Sequence, residues 1–382
     1  TWEQRKLEDF GKATGGTSIE SEFSEDGIYK VISIGSYSEN SVYNDQGIRA
    51  IKSDKTSNRI LNRNDLTMIL NDKTTSGNII GRVLLIEESG IYIYNQRTER
   101  IEINLDEYDP VFLYEMLNAP NIREKIIKQA QGNTQIYVNW TAISLLEYMI
   151  PSKEEQAKIG EYLHSISNLI TLHQRKYDKL QIIKKAMLEK MFPQNGSCFP
   201  EIRFKGFTDS WEQRKLEEVV EFLDTMRKPL EGAKRIPGPY PYYGASGIVD
   251  YVDGYLFNEE LVLLSEDGAN ITDRNYPVCF LASGKYWVNN HAHVLRTKDG
   301  NENNFICNSL ERKDYKQYNS GMAMPKLNQE VCRGIPISCP SFDEQKKIGG
   351  YFRGLDHLIT LHQREVEKLQ NIKKSMLETM FV

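Results

Sequence analysis

The sequence predicts an α+β protein in which two mixed domains of β-sheet and helix are joined by two long helices that pair as an antiparallel coiled coil. Three observations support this fold class. A 42-residue segment recurs without a gap, a seven-letter motif recurs at the start of each half, and the longer segment carries apolar residues at every seventh position. Two copies indicate a pseudo-two-fold internal repeat, because a solenoid needs at least about three stacked units.

The repeat has a short opening part and a long closing part. The motif WEQRKLE occupies residues 2–8 and again 211–217. The segment PSKEEQAKIGEYLHSISNLITLHQRKYDKLQIIKKAMLEKMF at 151–192 matches 340–381 at 26 of 42 positions. The opening copies are 209 residues apart and the closing copies 189, so the first intervening body is longer by 20 residues. Each half therefore has a constant opening, a variable body and a constant closing segment.

The closing segments are predicted to be helices that pair through an apolar seam. Heptad spacing of this kind produces one stripe that needs a partner helix. An antiparallel pair is the simpler topology because the chain passes through a whole domain between the two segments. The seam residues are Ile159, Ile166, His173, Leu180 and Met187 in the first copy and Ile348, Leu355, His362, Leu369 and Met376 in the second. The alternative, in which each stripe packs only on its own body, stays open.

Two properties of the seam suggest how it works. The equivalent histidines His173 and His362 are expected to fix the register of the pair. A helix from Ser165 to Met191 would span on the order of 40 Å, close to the ~34 Å pitch of B-DNA. Two bodies held by such a rod could face one side of a duplex about one turn apart.

Both bodies are predicted to contain a mixed sheet with some helix. Apolar or alternating runs broken by Gly, Asn and Asp are typical of strands. In the first body these runs are YKVISIG, LTMILND, GRVLLIE, GIYIYN and RIEIN, followed by the helical PVFLYEMLNAPNIREKIIKQA. In the second they are GIVDYV, LVLLSE, PVCFLAS and KYWVNNHAHVLR, followed by the helical NFICNSLERKDYKQYN.

Composition narrows the class of protein. The chain has 382 residues, a net charge of −5 and five cysteines, none of them in a CxxC pair. Such cysteine usage fits a reducing cytoplasm, and no apolar run approaches the ~18 residues of a membrane-spanning helix. The negative charge counts against a nucleic-acid binder, so any DNA-binding field would have to come from local patches or a partner.

No catalytic motif is present. The sequence lacks a GxxxxGK[ST] phosphate loop, a Gly-rich nucleotide turn and a GxSxG elbow. His291 and His293 would lie on one face of a strand and could share a zinc ion, but no third ligand stands at a suitable spacing. We therefore predict no metal site and no catalytic residue in this chain.

The loops of both bodies carry side chains suited to DNA. Arg and Asn can bind guanine and adenine bidentately in the major groove, and Lys binds phosphate. A solvated turn is the simpler interpretation of each loop taken alone. The candidate contacts are Lys73, Thr74, Thr75, Ser76, Asn95, Gln96 and Arg97 in the first body and Arg227, Lys228, Lys234, Arg235, Tyr243, Ser246, Asn270, Arg274 and His291 in the second.

The chain resembles the specificity subunit of type I restriction-modification enzymes over nearly its whole length. The resemblance rests on the repeated PSxxEQxKIGxY, LITLHQR and KLQxIKKxMLExMF, the connector FPEIRFKGFTDSWEQRKL, and, in the second body, YPYYGASGIVDYVDGYLFNEELVLLSEDGAN and KYWVNNHAHVLR. We expect residues similar to the connector to precede Thr1 in the intact gene.

The resemblance implies a division of labour along the chain. Residues 1–150 would form target-recognition domain 1, residues 151–195 the first helical spacer, residues 196–338 the connector with target-recognition domain 2, and residues 339–382 the second spacer. Each domain would read one half of a bipartite sequence in double-stranded DNA. The helices would set the spacing and dock two methyltransferase subunits.

The resemblance places the chemistry on partner subunits. This chain would hold no cofactor, while S-adenosylmethionine would bind to the methyltransferase subunits and ATP and Mg to restriction and translocase subunits. One alternative is a coiled-coil scaffold that joins two protein-binding domains without touching DNA, and another is a stand-alone enzyme.

Overall fold

The computed structural model describes residues 2–73, 75–194 and 196–381 and divides the chain into two compact units. Unit 1 comprises residues 1–173 and 364–382, and unit 2 comprises residues 174–363. Each unit therefore combines one body with part of each closing segment. The sequence-based boundaries, which give each closing helix a domain of its own, stay a prediction.

Unit 1 is built from short strands and helices that precede a very long helix. Its strands are β1 (Glu3–Lys6), β2 (Gly11–Gly15), β3 (Tyr29–Ile32), β4 (Arg49–Ala50), β5 (Leu66–Ile69), β6 (Asn71–Asp72), β7 (Val83–Leu85), β8 (Tyr92–Tyr94), β9 (Thr98–Ile103), β10 (Ile136–Tyr137) and β11 (Glu147–Ile150). Its helices are α1 (Asp54–Ser57), α2 (Pro110–Leu117), α3 (Pro120–Ile127), α4 (Trp140–Ile143) and the first half of α5 (Lys153–Lys190).

Unit 2 repeats this plan. Its helices are α6 (Leu216–Val219), α7 (Asn270–Asp273), α8 (Asn303–Glu311), α9 (Gln329–Arg333) and the first half of α10 (Phe342–Met380), whose second half belongs to unit 1. Its strands are β12 (Glu212–Lys215), β13 (Val220–Phe222), β14 (Pro237–Gly244), β15 (Gly247–Val252), β16 (Phe257–Asn258), β17 (Leu261–Ser265), β18 (Cys279–Ala282), β19 (Lys285–Val288), β20 (Ala292–Thr297) and β21 (Pro336–Cys339).

The two bodies have the same sheet topology although their sequences show little likeness. Unit 1 contains an antiparallel sheet of order β2-β9-β5-β7, and unit 2 contains the matching order β13-β20-β17-β18. A second sheet has the order β4-β3-β8 in unit 1 and β15-β14-β19-β16 in unit 2, and each contains one parallel pair, β3 with β8 and β14 with β19. The internal repeat therefore extends through the bodies.

The opening motif is a strand that pairs with the strand preceding each closing helix. Strand β1 runs antiparallel to β11, with Glu3 opposite Ile150, and β12 runs antiparallel to β21, with Glu212 opposite Cys339. The next residue, Leu7 or Leu216, is fully buried in the core of its unit. The two constant segments of each half are thus direct partners in one ladder.

The sequence EQxKIG at the start of each closing helix docks that helix on its body. In unit 1 the buried Gln156 accepts a hydrogen bond from Asp109 N (2.9 Å) and donates one to Pro151 O (3.0 Å). A Cβ at Gly160 would lie 2.8 Å from Phe112 N, so only glycine permits this approach. In unit 2, Gln345 makes the matching bonds to Glu302 N and Pro340 O, both 3.1 Å.

Each unit also binds the end of the closing segment that belongs to the other repeat. In unit 1 the rings of Trp2 and Phe112 lie 6.4 and 5.7 Å from that of Phe381. In unit 2 the rings of Trp211 and Phe305 lie 5.9 and 5.4 Å from that of Phe192. Burial of such aromatic clusters is worth several kcal/mol, of the order of 3 to 5 for a buried Phe or Trp.

Within each unit the two long helices run antiparallel where they meet. In unit 1, Lys373 of α10 donates to Ser167 of α5 at 2.7 Å and forms an ion pair with Glu115 of α2 at 2.8 Å. In unit 2, the equivalent Lys184 of α5 contacts Asp356 of α10 at 2.5 Å. All ten predicted seam residues are buried or half-buried. A coiled coil that continues through both units stays a prediction.

Most predicted strands and helices are present, although the structure adds short elements that were not predicted, such as β2, β13, α4 and α9. The run KYWVNNHAHVLR was predicted as one strand but forms β19 and β20 around a turn at 289–291. The proline-rich segment PGPYPYYG, which contains the candidate loop residue Tyr243, forms strand β14 and accommodates its prolines through register shifts in its pairing with β15. Over the residues that the structure describes, no helix has the length and apolarity needed to cross a membrane.

Candidate nucleic-acid interface

A buried asparagine shapes the turn between β8 and β9. Asn95 donates its backbone N–H to Ile32 O (3.0 Å), and its side-chain oxygen accepts from Ile19 N (3.2 Å). Two residues later, Arg97 has a left-handed backbone with φ of 68°. A non-glycine residue in this region costs of order 1 to 3 kcal/mol and is found most often at functional positions. The turn is therefore a fixed support for the residues at its tip.

Arg97 is held against the end of β5. Its backbone oxygen accepts from Leu70 N (2.9 Å). The side-chain oxygen of Asn71 accepts from Arg97 Nη1 (3.0 Å) in the amide orientation that satisfies both polar groups of Asn71. Asn71 pairs with Tyr137 of β10. The segments around 71, 95–97 and 132–137 thus converge, and we call them the turn site of unit 1.

Two clefts open beside this turn site. Arg97 and Gln135 line both of them. One cleft also contains Asn71, Tyr137 and Trp140, and the other contains Lys73, Asn95 and Gln96. The structure therefore brings together two predicted DNA-contacting loops that are separated by about twenty residues of sequence.

An equivalent turn lies between β19 and β20 of unit 2. The pairing register shows that the two turns are equivalent. In unit 1 the last residue of β5, Ile69, pairs with the first residue of β9, Thr98, and in unit 2 the last residue of β17, Ser265, pairs with the first residue of β20, Ala292. The buried Asn289 takes the place of Asn95, donating its N–H to Tyr243 O (3.0 Å) and accepting from His291 N (2.8 Å).

His291 occupies the position of Arg97. Its backbone oxygen accepts from Glu266 N (2.9 Å), as that of Arg97 accepts from Leu70 N. Its Nδ1 lies 2.8 and 2.9 Å from the carboxylate oxygens of Asp267, the residue equivalent to Asn71. Asp267 pairs with Lys326 in a β-bridge. The segments around 267, 289–291 and 321–326 form the turn site of unit 2.

The third segment of each turn site carries different chemistry in the two units. Gly132 and Gly321 begin these loops, and a Cβ at either would lie within about 2.2 Å of a carbonyl oxygen of its own loop. The loop of unit 1 continues with Asn-Thr-Gln, whereas that of unit 2 exposes Met322 and Met324. Sequence analysis did not select these residues, although the 189-residue offset aligns the two glycines.

A sequence model described as the type I restriction modification DNA specificity domain matches residues 1–181 and 208–371. The chain belongs to this family. The chain therefore has a role in DNA sequence specificity, and a scaffold without DNA recognition is not favoured. As a specificity subunit it is a non-catalytic component of its system.

Named relatives agree with this assignment. A Haemophilus influenzae protein named as a type I restriction enzyme specificity subunit is 35% identical over 154 residues, which are 40% of this chain and 39% of that protein. The Methanocaldococcus jannaschii type I restriction enzyme MjaVIII specificity subunit is 23% identical over 361 residues, 84% of this chain and 79% of its own. The chain thus matches about two fifths of the first relative's length and four fifths of the second's.

A solved structure has the same fold. The crystal structure of a type I restriction-modification S subunit from M. genitalium aligns with a TM-score of 0.74 and 16% sequence identity. The alignment covers 100% of this chain and 96% of that one.

Several predicted DNA contacts of the chain already bind internal partners in unit 2. Arg227 is paired with Glu266 (2.7 Å) and donates to Ala292 O (2.8 Å). Asn270 is buried and donates to Ser265 Oγ (3.0 Å). Arg274 is paired with Glu311 (2.8 Å). These side chains stabilise the body, and their role as DNA contacts stays a prediction.

Other predicted residues lie at the surface of unit 2. Arg235 covers the ring of Tyr242 at 4.5 Å, and Lys234 is paired with Glu231 at 2.8 Å. Tyr243 is half-buried and stacks on Phe280. Lys228 and Ser246 are exposed. None of these five belongs to the turn site of unit 2.

The remaining predictions concern unit 1. Thr75 and Ser76 are exposed, and Gln96 donates to Glu20 at 3.2 Å. Thr74 lies outside the described residues.

The second residue of the strand that follows each turn is a buried ionisable group, Glu99 in β9 and His293 in β20. Glu99 and His293 are equivalent, because they pair with Met68 and Leu264 at matching positions of β5 and β17. Burial raises the pKa of Glu99 to about 7, although Arg59 opposes the shift. Burial alone would lower the pKa of His293, but its hydrogen bond to Asp224 is the main influence in the other direction and the net effect raises it to about 10.

His291 and His293 do not form a shared metal site. His293 is buried, with Nδ1 at 2.6 Å from Asp224 and Nε2 at 2.8 Å from Leu327 O, so both ring nitrogens are occupied. His291 lies outside the strand and faces Asp267. The expectation that both lie on one strand face was wrong. Within the described ranges, no group of three or more His, Cys, Asp or Glu side chains is placed to bind a metal ion.

Proposed function

We propose that each unit binds one half of a bipartite sequence in double-stranded DNA and that α5 and α10 set the distance between the halves. The observation that carries this proposal is the presence of one turn site in each unit, built from the same three segments but with different side chains. A shared support with exchanged side chains is what two readers of unlike half-sites require.

The long helices support the spacer role. They contain 38 and 39 residues, which corresponds to roughly 57 Å at 1.5 Å per residue. The antiparallel contacts within each unit support a coiled coil that continues along both helices. We further propose that the helices dock two methyltransferase subunits.

We propose that the chemistry of the system resides on partner subunits. The methyltransferase subunits would bind S-adenosylmethionine and modify DNA, and restriction and translocase subunits would use ATP and Mg for movement and cleavage. The net charge of −5 supports the need for partners, because phosphate binding requires a positive field that the whole chain does not supply.

Methylome sequencing tests the bipartite reading directly. Cells that carry the gene together with that of its methyltransferase should modify one split motif, and cells without the gene should not. A motif that persists after deletion of the gene, or a motif without a gap, would contradict the proposal.

A binding assay tests whether the chain contacts DNA. The assembled complex should lose affinity steeply with salt, with a slope of log K against log salt near −0.9 per phosphate contacted. A matched duplex with both half-sites scrambled serves as control and should bind more weakly by roughly 10³-fold or more. Equal affinity for both duplexes would favour a scaffold role.

A further inference from the structure

We propose that the paired side chains of the turn sites, Arg97 with Asn71 in unit 1 and His291 with Asp267 in unit 2, determine the base that each unit reads at one position of its half-site. This inference rests on the proposed function and names the residues that execute it. In unit 1 the ligand is a guanine in the major groove, and in unit 2 it is a base at the corresponding position of the other half-site.

The backbone of the turn makes residue 97 a suitable reader. Asn95 anchors the start of the turn from inside the body, and Leu70 N holds the oxygen of Arg97 at its end. The reading side chain is therefore carried on a strand-to-strand turn that is bonded to a third strand, a more rigid support than an open loop.

The contact with Asn71 orients the guanidinium. It occupies Nη1 of Arg97 and leaves other N–H groups of the fork available. Two parallel N–H donors match O6 and N7 of guanine, which is the most frequent specific contact between proteins and DNA. Asn71 acts as a positioning residue in this arrangement.

The pair in unit 2 has the same construction with a different outcome. Asp267 engages Nδ1 of His291, so Nε2 is the ring nitrogen left to face a ligand. The His291 side chain is 50% exposed. The neighbouring Arg227 cannot take over this role without losing Glu266, whose carboxylate lies 2.7 Å from its guanidinium. An imidazole offers one polar atom where Arg offers two, so the two units read the equivalent position with different chemistry.

The decisive experiment determines the methylated motif and the affinities of the assembled complex for variants of the two pairs. Arg97→Ala should make one guanine of the first half-site degenerate, with discrimination falling by roughly 5- to 150-fold. The second half-site should be unchanged, which shows in the same molecule that the protein is folded. Asn71→Ala should reduce discrimination at the same position by a smaller factor.

Exchange of the pair provides the sharper test. The double variant Arg97→His with Asn71→Asp gives unit 1 the chemistry of unit 2 and should change the preferred base at that one position of the first half-site. His291→Ala should make the equivalent position of the second half-site degenerate. Arg63→Ala is the matched control, because Arg63 is exposed and lies before β5, at the opposite end of that strand from Asn71.

Three results would overturn the inference. They are an unchanged motif with Arg97→Ala, a uniform loss of affinity for all sequences, and loss of specificity at several positions with Arg63→Ala as well. In each case a gapped wild-type motif would leave the proposed function intact. Absence of any gapped motif from the wild-type complex would instead refute the proposed function.

Discussion

The two bodies resemble each other in structure but hardly in sequence, whereas the two closing helices resemble each other in both. The two bodies share the strand order of their four-stranded antiparallel sheet, one parallel pair in the second sheet and a buried asparagine turn, with little sequence likeness. The closing segments share both structure and 26 of 42 residues. The difference lies in what each segment contacts. The opening strands pair with other constant strands. EQxKIG and the terminal aromatics contact both constant residues and equivalent positions of the two bodies, such as the backbone N–H groups of Asp109 and Glu302 and the rings of Phe112 and Phe305. Each residue must therefore match a partner that both units share.

A body strand has fewer fixed partners. It needs an apolar inner face and a compatible register, and many sequences supply these. Surface turns such as 95–97 and 289–291 are then free to vary in side chain while the buried Asn95 and Asn289 keep the backbone in place. The contacts that each segment makes thus explain why the closing segments keep their sequence while the surface turns of the bodies vary.

The constant helices differ in their contacts at one pair of equivalent lysines, and substitution of these lysines should give the largest effect on the free energy of unfolding. Lys373 and Lys184 are equivalent, yet Lys373 meets Glu115, which is 2% exposed, whereas Lys184 meets Asp356, which is 43% exposed. Lys373→Met leaves a carboxylate buried without its cation, which should cost about 3 to 5 kcal/mol of the free energy of unfolding. Lys184→Met should cost at most about 1 kcal/mol.

Denaturant unfolding of the two variants under identical conditions measures this difference. Glu115→Gln combined with Lys373→Met serves as the control, because it removes both charges and should recover much of the loss. Equal destabilisation by the two single variants would show that burial of Glu115 does not set the cost.

A second contrast concerns pH and the equivalent positions 99 and 293. Glu99 is a buried acid with its pKa raised from 4.5 to about 7, so the folded state binds a proton more tightly than the unfolded state. The stability of unit 1 should therefore fall as pH rises from about 4.5 to 7. Glu99→Gln should stabilise unit 1 at pH 8 by roughly 1 to 3 kcal/mol and have little effect below pH 4.5.

His293 should give a pH dependence of the same direction at higher pH, but its substitution should have the opposite effect on stability. Burial, the largest single influence, would lower its pKa, but the hydrogen bonds and charges of Asp224 and Cys332 together outweigh it and raise the pKa from 6.5 to about 10. This pairing stabilises unit 2 fully below pH 6.5, and the contribution is lost as pH rises through 10. His293→Gln should therefore destabilise unit 2 at pH 6 by roughly 1 to 3 kcal/mol, with a smaller loss at pH 10.

Hydrogen exchange resolved to β9 and β20 assigns each effect to its unit. Protection of β9 in wild type should decrease between pH 5 and 7 after correction for intrinsic exchange, and Glu99→Gln should remove that decrease. A pH-independent difference between either variant and wild type would contradict the assigned ionisation.

The repeat, the longer helices and many of the strands could be predicted from the sequence, because these depend on periodic apolar positions, whereas the short helices α1, α4, α6, α7 and α9 could not. Sequence reasoning selected Arg97 and His291 from residue type, but it could not see that they are equivalent, because no alignment joins the bodies without the register of β5 and β17. It also missed Asn71, Asp267 and the loops at 132 and 321. Arg227 and Arg274 looked available because the carboxylates of Glu266 and Glu311 lie tens of residues away along the chain.

The smallest expected effect is on the salt dependence of DNA binding, and it should differ between a lysine in the cleft and a lysine paired at the surface. Lys73 lines the cleft with Arg97, whereas Lys234 is already paired with Glu231 at the surface. If Lys73 binds phosphate, Lys73→Ala should weaken binding to all sequences alike and reduce the salt slope by about 0.9, because one fewer counterion is released. Lys234→Ala should change the slope less, since its charge is partly neutralised by Glu231. Titration of the complex with DNA over a salt series measures both slopes, and a change in sequence preference with Lys73→Ala would instead make Lys73 a base reader.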